Sequence, residues 1–338
     1  MKRVLVTGAT GFLGGAVARN LKERGWEVIA TGRNPEAGEN LRAQDIFFAA
    51  CDLARDPERL GTLLKGCDAA VHCAALSSPW GTWSAFRSAN VTATRHVIQA
   101  CQKAAVPRLV HISSPSVSFA FKDQHDLRED APWVEQPANF YIATKREAER
   151  MALAADSETL SVLVLRPKAL TGQGDTTLLP RLMRVAGKGV FPLLGQGDPM
   201  LDLTWIEDAI AAVYQALEAP QECSGRVYHI TSGHPLPRSV VLDTVFRAAE
   251  LNVRYRRIPL GKAMAVAGAL EFFSRVFTAR RWEPPLTRYT VGALGLTQTL
   301  DISAARRDLH YDPSANLAEL LAECGASYRT GPPLSPTL

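Results

Sequence analysis

Three groups of residues in this 338-residue chain have the types and spacing to do chemistry together. The first is Gly8-Ala9-Thr10-Gly11-Phe12-Leu13-Gly14, which directly follows the apolar run Val4-Leu5-Val6-Thr7. A strand, a tight turn and a helix start in that order make a site for a pyrophosphate. Gly8 permits the sharp turn, Gly11 lets the backbone approach the phosphates, and Gly14 lets the helix pack close to the strand. Free N–H groups and the positive end of the helix dipole then face the anion. The second group is Tyr141-Ile142-Ala143-Thr144-Lys145, in a stretch to about residue 155 whose Ala, Glu and Arg content favours helix. A spacing of four puts the phenol and the ammonium on one helical face. There the Lys145 cation would stabilise the phenolate and make Tyr141 a usable proton donor or acceptor. The third group is Ser113-Ser114-Pro115-Ser116, closing the strand-like run 108–113. Turn chemistry at a strand end is the competing account of these serines.

The Thr-Gly-x-x-Gly-x-x-Gly spacing resembles that of the short-chain dehydrogenases/reductases, and Gly11-Phe12-Leu13-Gly14 resembles their extended branch. The Tyr-x-x-x-Lys pair after a serine-bearing strand completes the likeness. The resemblance implies cofactor contacts from Gly8, Thr10, Gly11, Phe12, Leu13 and Gly14, with Tyr141 and Lys145 reaching both cofactor and substrate. It implies that Ser114 is the catalytic serine, with Ser116 as the fallback. By the same resemblance, Asp52 would lie against the adenine with Leu53 beside it, and the backbone of Cys73, Ala74 and Ala75 would pass the cofactor. The backbone around Pro167 and Leu170 would hold the nicotinamide carboxamide. Asn90 falls where the family has a structural Asn near the active centre, a plain polar helix residue being the other reading. Thr171 and Gln173 stand where the family carries an aromatic and a proline, which leaves the pocket shape open.

Glu283–Arg288 and Asp301–Leu309 are similar to segments of the bacterial 3β-hydroxysteroid dehydrogenase-like group, which includes 2-alkyl-3-oxoalkanoate reductases and sterol C4-decarboxylating dehydrogenases. That likeness covers nearly the whole chain. It implies an NAD(P)-dependent oxidoreductase interconverting a secondary alcohol and a ketone on a hydrophobic substrate, and a homodimer paired through helices near 84–105 and 139–155. Two rivals remain at this point: a nucleotide-sugar epimerase or dehydratase with the same triad, and a non-catalytic NADP-sensing regulator on the same fold.

The end of the second strand bears on cofactor choice. A carboxylate there would hold the ribose 2′-OH of NAD, but the chain reads Ala30-Thr31-Gly32-Arg33-Asn34. Arg33 would suit a 2′-phosphate through a forked, charge-assisted contact, so NADP(H) is favoured over NAD(H). A solvent-facing Arg33 would leave NAD in place.

The elements that must position these groups alternate along the chain. Strands are expected near 3–7, 26–31, 46–50, 68–73, 108–113 and 161–166, and helices near 11–24, 56–65, 84–105 and 139–155. That alternation implies right-handed βαβ units, so the expected fold is α/β, a Rossmann-type doubly wound parallel sheet with a smaller, mostly helical C-terminal substrate lobe. The expected division is 1–166 plus 204–231 for the nucleotide-binding domain and 167–203 plus 232–330 for the lobe, with 331–338 a disordered tail.

Composition excludes other classes. A net charge of +4 is too mild for a nucleic-acid binder. Cys51, Cys67, Cys73, Cys101, Cys223 and Cys324 show no metal-ligand spacing, so no metal is expected and reduced thiols in a cytoplasmic protein are. No Lys/Arg-led apolar run opens the chain, so no signal peptide is expected. The stretch 258–277 is greasy but interrupted by Lys262, Glu271 and Arg275, so it does not read as a membrane span. A packed lobe helix, a lid over a hydrophobic substrate and a helix in peripheral contact with a membrane surface are its three readings.

Overall fold

The computed structural model describes residues 1–313 and 316–330; the tail expected at 331–338 lies outside the described residues. Val4, Leu5 and Val6 are fully buried, as a strand covered on both faces requires. Alternate side chains then serve two cores. Val4 and Val6 pack with Val17 and Leu21 of the helix Phe12–Glu23 and with Val213 of the helix Ile206–Glu218. Leu5 packs on the opposite face with Val97 and Cys101 of the helix Ala93–Lys103.

Seven parallel strands make the central sheet, in the order Val227–Ile230, Ser161–Pro167, Arg108–Ile112, Ala69–His72, Arg3–Thr7, Glu27–Gly32, Phe47–Ala50. The chain winds outward from Arg3–Thr7 in one direction and then returns to build the other side. The order therefore reverses between Arg3–Thr7 and Ala69–His72, which are in register at Thr7 and His72. A crevice opens beyond the carboxyl ends of strands at such a point.

Two elements differ from the expected pattern. The helix expected over 84–105 is three pieces: Trp83–Phe86, a π-helical turn at Arg87–Thr92, and Ala93–Lys103. Pro35–Arg42 is a further helix, started by Asn34, whose side chain accepts from Glu36 N and Ala37 N, and by Pro35 in the first turn.

Beyond the sheet, the helices Leu178–Ala186, Arg238–Ala248 and Leu317–Thr330 share a core through Leu179, Leu242 and Leu321. A small four-stranded sheet of Leu236–Pro237, Met200–Leu201, Gln298–Leu300 and Gln124–Leu127 stitches these helices to the loops above the main sheet. The helix Leu260–Phe277 packs on the helix Arg288–Gly295 through Ala263, Ala267 and Val291.

Candidate active site

The crevice at the strand ends is one wall of a cavity of about 1030 Å³ that continues into the C-terminal elements. Gly8, Gly11, Phe12, Leu13 and Gly14 lie on it, facing Cys73 and Ala75. Gly8 has φ +67°, and a Cβ there would stand 2.7 Å from the amide nitrogen of Ala74. A Cβ on Gly14 would collide with the Gly8 carbonyl oxygen. Both glycines are thus required by close approach of backbone to backbone. Gly11 is the helix N-cap and supplies no side-chain acceptor, and the first turn holds no acid, so the leading N–H groups are free for an external anion. These features fit a dinucleotide pyrophosphate.

The remaining sequence-identified cofactor residues divide into two sets. Pro167 and Leu170 line the cavity. Thr10, Arg33, Asp52, Leu53 and Ala74 do not. Thr10 fills the space beside Gly32, where a Cβ would meet its Oγ1 at 2.6 Å, and Ala74 N donates to Thr7 Oγ1 at 3.3 Å. Arg33 is exposed at the end of the second strand, next to the helix-capping Asn34. Asp52 accepts from Ala54 N at 3.0 Å and lies 3.9 Å from Arg55, while the Leu53 carbonyl accepts from His96 Nδ1 at 2.8 Å. Arg33 and Asp52 follow adjacent strands of the sheet, Arg33 exposed and Asp52 half-buried.

Ser114, Tyr141 and Lys145 come together on the cavity wall. Asn139 caps the helix Phe140–Ala154 by accepting from Ile142 N at 2.9 Å, which fixes where Tyr141 enters. Burial raises the Tyr141 phenol above its ordinary value, and hydrogen bonds with the hydroxyls of Ser114 and Ser77 act the other way. Ser114 Oγ and Ser116 Oγ are 2.9 Å apart, so the expected serine and its fallback belong to one hydroxyl chain. Lys145 Nζ donates to the Ile112 carbonyl at 2.6 Å. Burial lowers its pKa to about 8, opposed by the negative charge of Glu149. Desolvation dominates the Tyr141 phenol, and the Lys145 ammonium is anchored to the strand carbonyl of Ile112.

The sequence reading missed the groups that hold this trio. Glu149, one helical turn beyond Lys145, forms a buried ion pair with Arg166 at 2.5 Å and accepts from Ser113 Oγ at 2.5 Å. Their side chains are 1% and 3% exposed, so from inside Glu149 fastens the helix Phe140–Ala154 to the strand Ser161–Pro167 and to the end of the strand Arg108–Ile112. Its one sequence signal was the i,i+4 spacing of Lys145 and Glu149. Asn90, in the π-helical turn, is buried and structural: it accepts from Leu76 N at 2.7 Å and donates to Thr144 Oγ1 at 3.0 Å. Tyr289, also unanticipated, lines the cavity beside Ser116.

Beyond Tyr141 the cavity turns apolar, with Leu182, Phe191, Leu194, Leu242, Val266 and Leu286 on its walls. Polar and charged side chains interrupt that wall: Lys122, Lys168, Arg181, Asp202, Arg238 and Gln298 also line the cavity, and the Lys168 ammonium donates to the Gln298 side-chain oxygen at 3.0 Å. Of the greasy stretch 258–277, Ile258, Ala263 and Val266 face the cavity. Phe272 and Phe273 do not; they are 56% and 49% exposed, so neither a fully packed helix nor a lid made by those two rings describes it. Among the described residues no cluster of three or more metal-ligating side chains exists, and all six cysteines are free.

Comparison with known proteins gives three findings. The family model described as "NAD dependent epimerase/dehydratase family" matches residues 4–231, more than half of the chain. A 2-alkyl-3-oxoalkanoate reductase of Stenotrophomonas maltophilia is 34% identical, over 96% of this chain and 99% of that protein, and a mouse decarboxylating sterol-4-alpha-carboxylate 3-dehydrogenase is 28% identical over 97% and 91%. Among solved structures, that of gox2253 is similar with a TM-score of 0.79 at 25% identity, covering 98% of each chain.

Proposed function

The chain belongs to the NAD-dependent epimerase/dehydratase family and is an NAD-dependent dehydrogenase/reductase, and we propose that it reduces a ketone to a secondary alcohol on a long-chain or polycyclic hydrophobic substrate, a β-keto acid above all. The observation that carries the reading is the cavity itself: the Tyr141 and Ser114 hydroxyls stand at one end and a wall of Leu, Val and Phe side chains extends from them. The apolar share of the lining favours a hydrophobic body over a sugar, and the UDP-sugar arm of the screen below decides the epimerase rival, whose diphosphate Arg181 or Arg238 could meet. Relatives named as reductases and dehydrogenases of alkyl-ketoacids and sterol carboxylates support the same class.

In this mechanism Ser114 Oγ donates a hydrogen bond to the substrate carbonyl oxygen and holds it against Tyr141. The Tyr141 hydroxyl passes its proton to that oxygen, which becomes the alcohol. Burial keeps the phenol protonated and ready to donate. Lys145, held at the Ile112 carbonyl, presents its charge to the cofactor ribose and to the phenolate that forms. Gly8, Gly11 and Gly14 would hold the pyrophosphate, Asp52 and Leu53 the adenine end beyond the cavity, and Pro167 and Leu170 the nicotinamide carboxamide. The bound nicotinamide cofactor supplies the hydride. Arg33, exposed where a 2′-phosphate would lie, favours NADP(H), and two copies of the chain pair through the helices near 84–105 and 139–155.

A screen following NADPH absorbance across β-keto acids of increasing length, steroids and UDP-sugars tests the substrate class. Catalytic efficiency rises with chain length by up to about 0.8 kcal/mol per CH₂ until the cavity is full; flat dependence, or preference for a UDP-sugar, overturns the reading. Arg33→Ala weakens NADPH binding by roughly 1.5–3 kcal/mol and leaves NADH unchanged, the scale of one lost charged hydrogen bond. Equal weakening of both cofactors would show that Arg33 does not read the phosphate.

A further inference from the structure

We propose that the outer face of the helix Leu260–Phe277 docks this protein onto an anionic phospholipid surface, and that the cavity is loaded with substrate from that surface. The docking stands on the helix alone; the loading rests on the hydrophobic-substrate reading above.

Ala265, Val266, Ala269, Phe272, Phe273, Val276 and Phe277 fall at i, i+1, i+4, i+7, i+8, i+11 and i+12, a stripe about 140° wide on a helix. In a helix of an ordinary globular protein such a stripe faces the core. Here Ala263, Ala267 and Ser274 on the other side are the buried residues. Val266, Phe272, Phe273, Val276 and Phe277 are 55%, 56%, 49%, 54% and 69% exposed. The rings are organised among themselves: Phe273 lies 4.8 Å from Phe277 and 6.0 Å from Trp282, which is itself exposed.

Positive charge rims this face. Arg275 lies over Phe272 at 5.6 Å, Lys262 precedes the stripe and Arg281 follows it, while Arg280 is drawn inward over the Trp80 and Phe140 rings at 4.4 and 4.5 Å. Among the described residues none of Lys262, Arg275 and Arg281 reaches a carboxylate within ion-pair distance, and the helix's own acid, Glu271, is taken by Arg288 at 2.8 Å. Exposed Phe and Trp beside unpaired Arg and Lys is the pattern of a helix lying in a lipid interface. No helix among the described residues is long and apolar enough to cross a membrane. Charge also selects the occupant. A second copy related by a twofold axis would bring the same arginines toward one another, whereas an anionic bilayer complements them.

The helix is also a wall of the cavity. Lys262, Ala263 and Val266 line it, and Val266 is exposed to solvent as well, which places the mouth beside the apolar stripe. An alkyl substrate can pass from acyl chains to the cavity without its apolar surface crossing bulk water.

The test sediments the full chain with vesicles of phosphatidylcholine, with and without phosphatidylglycerol. Wild type pellets with the anionic vesicles, less so in high salt, and the double variant Phe273→Ser, Phe277→Ser binds about tenfold less at an unchanged melting temperature. Arg275→Gln with Arg281→Gln weakens binding while leaving the apolar face whole. Wild type remaining in the supernatant with anionic vesicles overturns docking, as does equal binding by the Phe variant. A dimer mass by light scattering that becomes monomeric in the Phe variant, without vesicle binding, assigns the face to a second copy and also overturns it. Sedimentation needs no turnover, so it is independent of the assigned reaction. Loading is read separately. The Phe variant turns over a short, water-soluble ketone at the wild-type rate but a long-chain ketone presented in anionic vesicles more slowly, and equal rates on both substrates overturn loading.

Discussion

The helices Phe140–Ala154 and Leu260–Phe277 border the same cavity and dispose of polarity in opposite ways. The first buries Lys145, Arg146 and Glu149, and each has a partner: the Ile112 carbonyl, the Val117 carbonyl and Arg166. The second sends large apolar side chains to solvent and keeps small ones inside. A helix that must hold a phenol to a fraction of an ångström is fixed by directional bonds, each of which costs free energy when broken. A helix whose inner face is Ala and Ser is held by close packing with a few polar ties, Ser274 accepting from Trp80 Nε1 at 2.9 Å and Glu271 pairing with Arg288 at 2.8 Å, and its outer face remains available. Position on a shared cavity therefore says little about how tolerant an element is; the partners of its side chains say more.

Substitutions on the two helices should separate sharply. The largest effect is expected from Glu149→Ala, which strands Arg166 in the interior and costs about 3–5 kcal/mol of stability in denaturant unfolding. Pairing it with Arg166→Met should recover part of that loss, and no recovery would mean the pair is not the cause. Tyr141→Phe leaves the fold intact and lowers turnover by on the order of 10² or more, with cofactor affinity by fluorescence titration nearly unchanged. A milder effect follows from Lys145, whose pKa burial lowers to about 8. Its cation is present below that value and is lost as pH rises through it, so kcat/KM for ketone reduction should be flat below about 8 and fall by up to about tenfold per unit above. Lys145→Arg, which stays charged, should remove that fall even at lower absolute activity. At the far end, Phe277→Ser on the second helix should change stability by no more than about 0.5 kcal/mol by thermal melting, because its side chain is already in water. A large loss there would show that the stripe is packed and would erase the contrast.

What the sequence made legible followed from short spacing. Gly8 to Gly14 and Tyr141 to Lys145 each lie within a few residues, so local geometry sets their relation before any tertiary contact forms. The parallel sheet was legible for a similar reason, since runs such as Val4–Val6 and Leu109–Ile112 announce strands buried on both faces. Partners distant in sequence were hidden. Glu149 and Arg166 meet because a helix and a strand pack, and Tyr289 reaches Ser116 across more than half of the chain. Phe272 and Phe273 misled in the other direction: apolarity predicts burial only on average, and here the small residues took the inside. The helix Pro35–Arg42 was readable from Asn34-Pro35-Glu36 as a cap followed by a first-turn proline.

The π-helical turn at Arg87–Thr92 makes the active site unusually sensitive to length as opposed to composition. A π turn holds one residue more than regular α-helical winding would, and Asn90 uses the resulting offset to clamp Leu76 and Thr144 at once. Losing a single residue anywhere in the turn would restore ordinary winding by taking up the extra residue within the turn itself, so the flanking helices would keep their facing while Asn90 lost its offset. Asn90 could then no longer reach both of its clients, and the loop that borders the crevice would lose its tie to the helix that carries Tyr141. Substitution of the turn's exposed side chains should therefore be tolerated better than an insertion or deletion within it.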